Sequence, residues 1–194
     1  MISKPIIVKA QPINLDGNNS IFICRCISIL FQEPESTLPK TFVAKEFGDD
    51  KDELGTYKQL ACLQGIYIPR CYGEISWIDK EGVAHQGMAL EFLKGFRSLQ
   101  SGVDTKDRNI YKKCKEAIHA ISSQGIYHGD IALRNLMWES VSKEIRVIDF
   151  EFSAAFTQAW VRDNEVIWEN GITIATIPQQ NLIDLESIFT EIKS

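Results

Sequence analysis

The sequence predicts an α+β fold, strand-rich in its first half and more helical in its second, and three observations carry that reading. Up to Leu93, apolar and β-branched residues recur in short runs separated by clusters of Asp, Asn, Gly and Pro, the mark of strands joined by turns. Beyond Lys94 and Gly95 the spacing becomes helical, with Ile110, Cys114, Ala117, Ile118 and Ile121 on one stripe. Between that stripe and the apolar run Ile145 to Ile148 lies a polar loop carrying Asp130 and Asn135, and Asp149 closes the run. A chain of 194 residues has room for one substantial domain, or for two small lobes sharing a cleft.

Taken in order, Pro5 to Ile13 and Ser20 to Phe31 read as two strands around Asn14 to Asn19, a hairpin turn. A proline-punctuated connection, Gln32 to Lys40, leads to a strand from Thr41 to Phe47. In the following segment, Asp52 to Leu63, helical spacing places Leu54, Tyr57 and Ala61, with Leu60, on one side. Strands over Ile68 to Ile78 and Val83 to Leu93 flank a turn at Asp79 to Gly82. The long helix is expected to end around Ser122 to Gly125, glycine being suited to a left-handed terminus. From Ala154 to Asn181, which includes Trp160 and Trp168, no regular pattern emerges. Ile183, Leu185, Ile188 and Phe189 then give a final amphipathic helix.

Composition narrows the function classes. A net charge of -5 argues against general nucleic-acid binding, which depends on Lys and Arg neutralising phosphates. No apolar run approaches the ~18 residues of a membrane span, and no long apolar segment follows the first residues. A soluble intracellular protein, cytoplasmic or nuclear, is expected. The five cysteines show no paired CxxC spacing, so buried core thiols are expected rather than disulfides or a zinc site. Oligomeric state is not legible.

The polar loop suggests chemistry. Asp130 and Asn135 stand five apart, and Asp149 follows Asn135 by fourteen. One carboxylate can orient or deprotonate a hydroxyl, while an amide oxygen and a second carboxylate suit Mg2+, which prefers oxygen ligands. The pattern His128-Gly129-Asp130, then Asn135, then Asp149-Phe150-Glu151 resembles the catalytic and metal loops of the protein-kinase-like superfamily. Val43-Ala44-Lys45 is similar to that family's phosphate-binding strand, and the whole is most like compact, fungal-type kinase-like proteins.

This resemblance implies a bilobal protein-kinase-like fold. An N-terminal lobe, 1–94, would hold a five-stranded antiparallel sheet and one helix, a hinge would lie near 91 to 95, and a reduced, mostly helical C-terminal lobe would occupy 95–194. It implies ATP and Mg2+ as cofactors and transfer of the γ-phosphate to an unknown hydroxyl acceptor, on a protein or a small molecule. The implied catalytic residues are Asp130, Arg134 and Lys45, with Asn135 and Asp149 on the metal. Lys45, its partner Glu53, Ala44, Glu91, Leu93 and Gly17 would bind the nucleotide. Asp52 or Glu46 are alternative partners for Lys45. His128 is expected to brace the loop backbone, and Asp184-Leu185-Glu186 resembles the start of the family's central lower-lobe helix.

The departures are specific. The hairpin offers one glycine, Gly17, where the family's phosphate-covering loop has several. His128-Gly129-Asp130 lacks the Arg of kinases controlled by a phosphorylated loop, Ala132 stands where many have Lys, and Glu151 replaces the usual Gly. These differences leave two other functions open: a pseudokinase serving as a nucleotide- or protein-binding module, and a small-molecule kinase.

Overall fold

A computed structural model of the chain describes residues 6–14, 21–31, 38–48, 52–78, 82–101, 107–155, 166–167, 173–174 and 177–191. The fold is α+β. The chain packs as two compact units, Met1–Leu54 with Pro69–Leu93, and Gly55–Ile68 with Lys94–Ser194.

In the first unit, β1 (Ile6–Asn14), β2 (Ile21–Phe31), β3 (Thr41–Glu46), β4 (Cys71–Ile78) and β5 (Ala84–Glu91) form a closed sheet in the order β1-β2-β3-β5-β4. All neighbours are antiparallel except β1 and β4, which run parallel from Ile6 opposite Ile75 to Lys9 opposite Ile78. The expected five-stranded antiparallel sheet is present but for this one parallel pair, and the reason is one of parity. Five strands closed into a ring cannot alternate in direction throughout, so one pair must match. Phe42, Ala44, Ile75, Trp77 and Ala89 fill the apolar cluster of this unit, with Leu38 and Tyr72 packed at its side. The turn at Asn14 to Asn19, Gly17 included, lies outside the described residues, as do Asp79 to Glu81.

Helix α1 (Glu53–Gln59) is shorter than the sequence suggested and passes into a 3-10 turn over Ala61–Leu63. That change of pitch turns Leu60 inward and Ala61 outward. Tyr57, Leu60, Leu63 and Ile68 enter the core.

In the second unit, α2 (Arg108–Ser123) starts on Asp107, whose carboxylate accepts the Asn109 N–H at 2.8 Å, an N-cap. All five residues of the expected stripe are buried. The helix ends as expected at Gly125, whose φ of 75° is the left-handed conformation that terminates helices. A three-stranded sheet joins β6 (Arg97–Ser98), β8 (Leu136–Glu139) and β9 (Glu144–Val147), and β7 (Ile126–Tyr127) pairs with β10 (Ala154–Ala155). Val166–Ile167 pairs with Thr173–Ile174 in a stretch where the sequence offered no pattern. The last helix, α3 (Ile177–Glu191), begins six residues before the expected Ile183. Its inner row is Asn181, Leu185 and Phe189, an i, i+4, i+8 set, while Ile183 points outward. No helix among the described residues is long and apolar enough to cross a membrane.

The cysteines divide. Cys114 is buried and Cys71 half-buried, but Cys62 is exposed on the 3-10 turn, which corrects its expected burial. The side chains of Cys24 and Cys26 lie outside the described set.

Candidate active site

In the first unit the two-residue alternation of β3 sets the site. Lys45 follows Ala44, so their side chains leave opposite faces of the strand. Ala44 is fully buried in the apolar cluster, and Val43 is the neighbour on the lysine's face. Lys45 Nζ lies 2.7 Å from Glu53 Oε2, with the two side chains 10% and 6% exposed. A desolvated ion pair of this kind is favourable only at close range and with good geometry. Glu46 instead pairs with His85, whose ring stacks on Trp77 at 5.2 Å. Glu91 is tied twice to Arg70. Its N–H donates to the Arg70 carbonyl at 2.8 Å, and its carboxylate accepts the Arg70 N–H at 3.0 Å. The Glu91 backbone donor is therefore already used, and Leu93, two residues on, is half-buried.

In the second unit a 3-10 turn at Leu133–Asn135 brings Asn135 back beneath Asp130. The Asn135 amide donates to the Asp130 backbone oxygen at 2.9 Å and to its Oδ2 at 2.8 Å. Arg134 Nη2 reaches both Asp130 carboxylate oxygens, at 2.6 and 2.7 Å. The arginine side chain is 57% exposed against 24% for the aspartate, so this pair sits at the surface of the loop. Asn135 is buried, and its backbone carbonyl accepts the Ile148 N–H at 3.0 Å, which fixes it beside the strand end that delivers Asp149.

Asp149 has φ of 67°, a left-handed conformation that is uncommon without glycine and is sustained only where neighbours over-determine it. Those neighbours are visible. Phe150 is buried, with its ring 5.4 Å from Tyr57 and 4.9 Å from His128. A Cβ at Gly129 would meet the Phe152 carbonyl at 2.2 Å, and the φ of Gly129 is also positive, at 77°. Only glycine lets the two loops approach this closely.

His128 braces the loop as the sequence suggested. Nε2 lies 3.0 Å from the Ile148 carbonyl, and Nδ1 lies 3.3 Å from the Asp130 N–H. A carbonyl on one side and an amide donor on the other assign the neutral tautomer with its proton on Nε2. Burial pushes its pKa below the ordinary histidine value, against the pull of the Ile148 carbonyl and nearby carboxylates.

Two supports were not legible in the sequence. Asn181, fully buried, donates to Ser122 Oγ at 2.7 Å and to the Ile126 carbonyl at 3.1 Å, and accepts the His128 N–H at 3.1 Å. It locks α2, α3 and the loop at His128 together. Its place one turn before Asp184 was the only available signal, and it becomes informative only once α3 is seen to start early. Arg146, also buried, donates to the carbonyls of Gly65 and Ile66 at 2.8 and 2.6 Å, with Phe96 packed on its guanidinium at 5.3 Å. Its position inside an apolar strand run was that signal. Asp184 accepts the Tyr127 hydroxyl at 3.3 Å, and burial, then this carboxylate, push the phenol pKa up.

Mg2+ calls for oxygen ligands. With both amide protons of Asn135 directed at Asp130, its Oδ1 is left as an oxygen donor, and Asp149 supplies a carboxylate. One neutral and one anionic oxygen are donor types that a hard cation accepts, and among the described residues no group of three or more His, Cys, Asp or Glu could hold a metal ion. Compared with protein-family models and with curated proteins, the sequence matches none of either.

Proposed function

We propose that the protein is an ATP- and Mg2+-dependent phosphotransferase acting on a hydroxyl acceptor. The observation that carries this reading is the arrangement around Asn135: its side-chain amide clamps Asp130, while its backbone carbonyl holds the strand end leading to Asp149. Such a unit keeps a base and a metal carboxylate in fixed register. In this reading Asp130 orients the acceptor hydroxyl and takes its proton. Asn135 and Asp149 hold Mg2+, which would offset charge on the phosphates when bound. Lys45, oriented by Glu53, receives phosphate oxygens. Arg134 counters charge developing on the transferred group.

A second reading, a nucleotide- or protein-binding module without turnover, is favoured by one specific contact. Both carboxylate oxygens of Asp130 are already engaged by Arg134. Transfer requires the arginine to release one of them, a movement its exposure permits at small cost, since exposed ion pairs contribute only ~0–1 kcal/mol.

The deciding experiment measures ATP binding and turnover with and without Mg2+ for wild type, Asp130→Asn, Asp149→Asn and Lys45→Met. Mg2+-dependent phosphate transfer lost in all three variants supports the enzyme. Binding without turnover supports the module, and no nucleotide binding by the folded chain overturns both nucleotide readings.

A further inference from the structure

Asp149 is held in a costly backbone conformation, and the residue after it is fixed at both of its ends. The Phe150 ring is fixed by Tyr57 and His128. Its carbonyl is fixed by Ser153, which donates its N–H at 3.0 Å and its hydroxyl at 2.6 Å to that one oxygen. Ser153 Oγ is in turn 2.9 Å from Thr56 Oγ1, on α1. A hydroxyl has a single proton, and that of Ser153 is committed to the Phe150 carbonyl. The proton shared between the two hydroxyls is thereby assigned to Thr56, and the chain of donors runs from Thr56 to Ser153 to Phe150. Thr56 is buried.

We propose that Thr56 and Ser153 are positioning residues for the metal-binding carboxylate: a two-hydroxyl relay from α1 sets the Phe150–Glu151 peptide and so, through Phe150, the direction in which Asp149 presents its side chain. The inference rests on the phosphotransfer reading, in which Asp149 is the metal ligand. Neither hydroxyl touches the metal. Their effect is on the orientation of a residue that does, and groups in that position change metal affinity by roughly 10–100-fold when removed.

Thr56→Val removes the donor at nearly constant volume, Thr56→Ser restores it, and Ser153→Ala breaks the relay from the other side. Two readouts are needed. The first is amide exchange across 150–153 in the metal-free chain. It is expected to quicken at least tenfold in Thr56→Val and Ser153→Ala and to return to the wild-type rate in Thr56→Ser. The second is the Mg2+ midpoint for ATP turnover, expected to rise about tenfold in the first two variants, with kcat at saturating Mg2+ nearly unchanged. Unchanged exchange overturns the relay whether or not the chain binds metal. A lower melting temperature with an unchanged Mg2+ midpoint also overturns it, leaving a purely structural hydroxyl pair and an intact phosphotransfer reading. If wild type gives no Mg2+-dependent turnover or nucleotide binding, the metal role falls together with that reading, and quickened exchange alone identifies the relay as a loop brace.

Discussion

Lys45 and Glu53 form a 2.7 Å ion pair in which neither side chain is more than a tenth exposed. Removing one partner leaves a charge in a desolvated site, which typically costs about 3–5 kcal/mol. Lys45→Met is therefore expected to destabilise by that amount, whereas Lys45→Met combined with Glu53→Leu should recover much of the loss. Urea unfolding of the two single variants and the double variant gives the coupling. Additive single effects would show that the pair is not energetically joined. Nucleotide-dependent activity should stay absent in the double variant even as stability returns.

Asp130 and Arg134 should behave in the opposite way. Their pair is partly exposed, so Arg134→Ala is expected to move stability by less than about 1 kcal/mol. Asp130→Asn should lower turnover about 10²–10⁴-fold, the usual contribution of a positioned base, while leaving ATP affinity within a few-fold of wild type. Steady-state kinetics beside direct nucleotide titration separates the two effects. Parallel loss of binding and turnover would point to a structural role for Asp130.

Buried neutral His128 carries a pH signature. Its pKa in the fold lies below the ordinary 6.5, so between those two values the unfolded chain binds the extra proton. Stability from this group is full above about pH 6.5 and falls as the pH drops through the interval down to the folded-state value. Unfolding free energies measured from pH 7.5 to 4.5 should decline through that window in wild type. His128→Gln, less stable throughout, should show a flatter decline. Parallel curves would mean that histidine protonation is not linked to folding.

Asn181 uses three hydrogen bonds to join two helices to the loop at His128. Asn181→Leu fills the space but strands the buried His128 N–H, a cost of about 1–3 kcal/mol for that group alone. Reduced melting temperature together with faster amide exchange at residues 126 to 130 is the expected result. A stability loss without any change in loop exchange would confine Asn181 to holding the helices.

Burial pushes the Cys114 thiol up to about 12, while Cys62 lies exposed. At pH 8 a thiol reagent should modify Cys62 in the folded chain and spare Cys114 until denaturant is added. Peptide mapping by mass spectrometry distinguishes the two sites. Equal labelling would contradict the burial of α2's inner face.

What the sequence revealed follows from where the determining interactions lie. The α2 stripe, its left-handed glycine and the partner of Lys45 are local or pattern-borne, and each was legible. Strand alternation turns the Ala44 side chain into the core, a placement the motif alone does not state. The parallel pairing of β1 and β4 follows from ring closure, which no local pattern encodes. Asn181 and Arg146 gain meaning only through partners 53 and 80 residues distant, respectively, and polar residues carry no period that announces such partners. The clamp of Asn135 on Asp130 was foreshadowed by their five-residue spacing, but Arg134's occupation of the carboxylate was not.

The second unit recruits Gly55–Ile68 from the middle of the segments that build the first. Arg146 reaches back to Gly65 and Ile66, and the Val147 N–H donates to the Tyr67 carbonyl at 2.8 Å. No single cut in the chain therefore separates the units cleanly. A fragment ending at Leu93 would expose Tyr57, Leu60 and Ile68, side chains whose burial belongs to the other unit, and a fragment starting at Lys94 would lack the carbonyls that receive Arg146. During synthesis the same arrangement leaves the carbonyls of residues 65 to 67 without these donors until residues 146 and 147 have emerged.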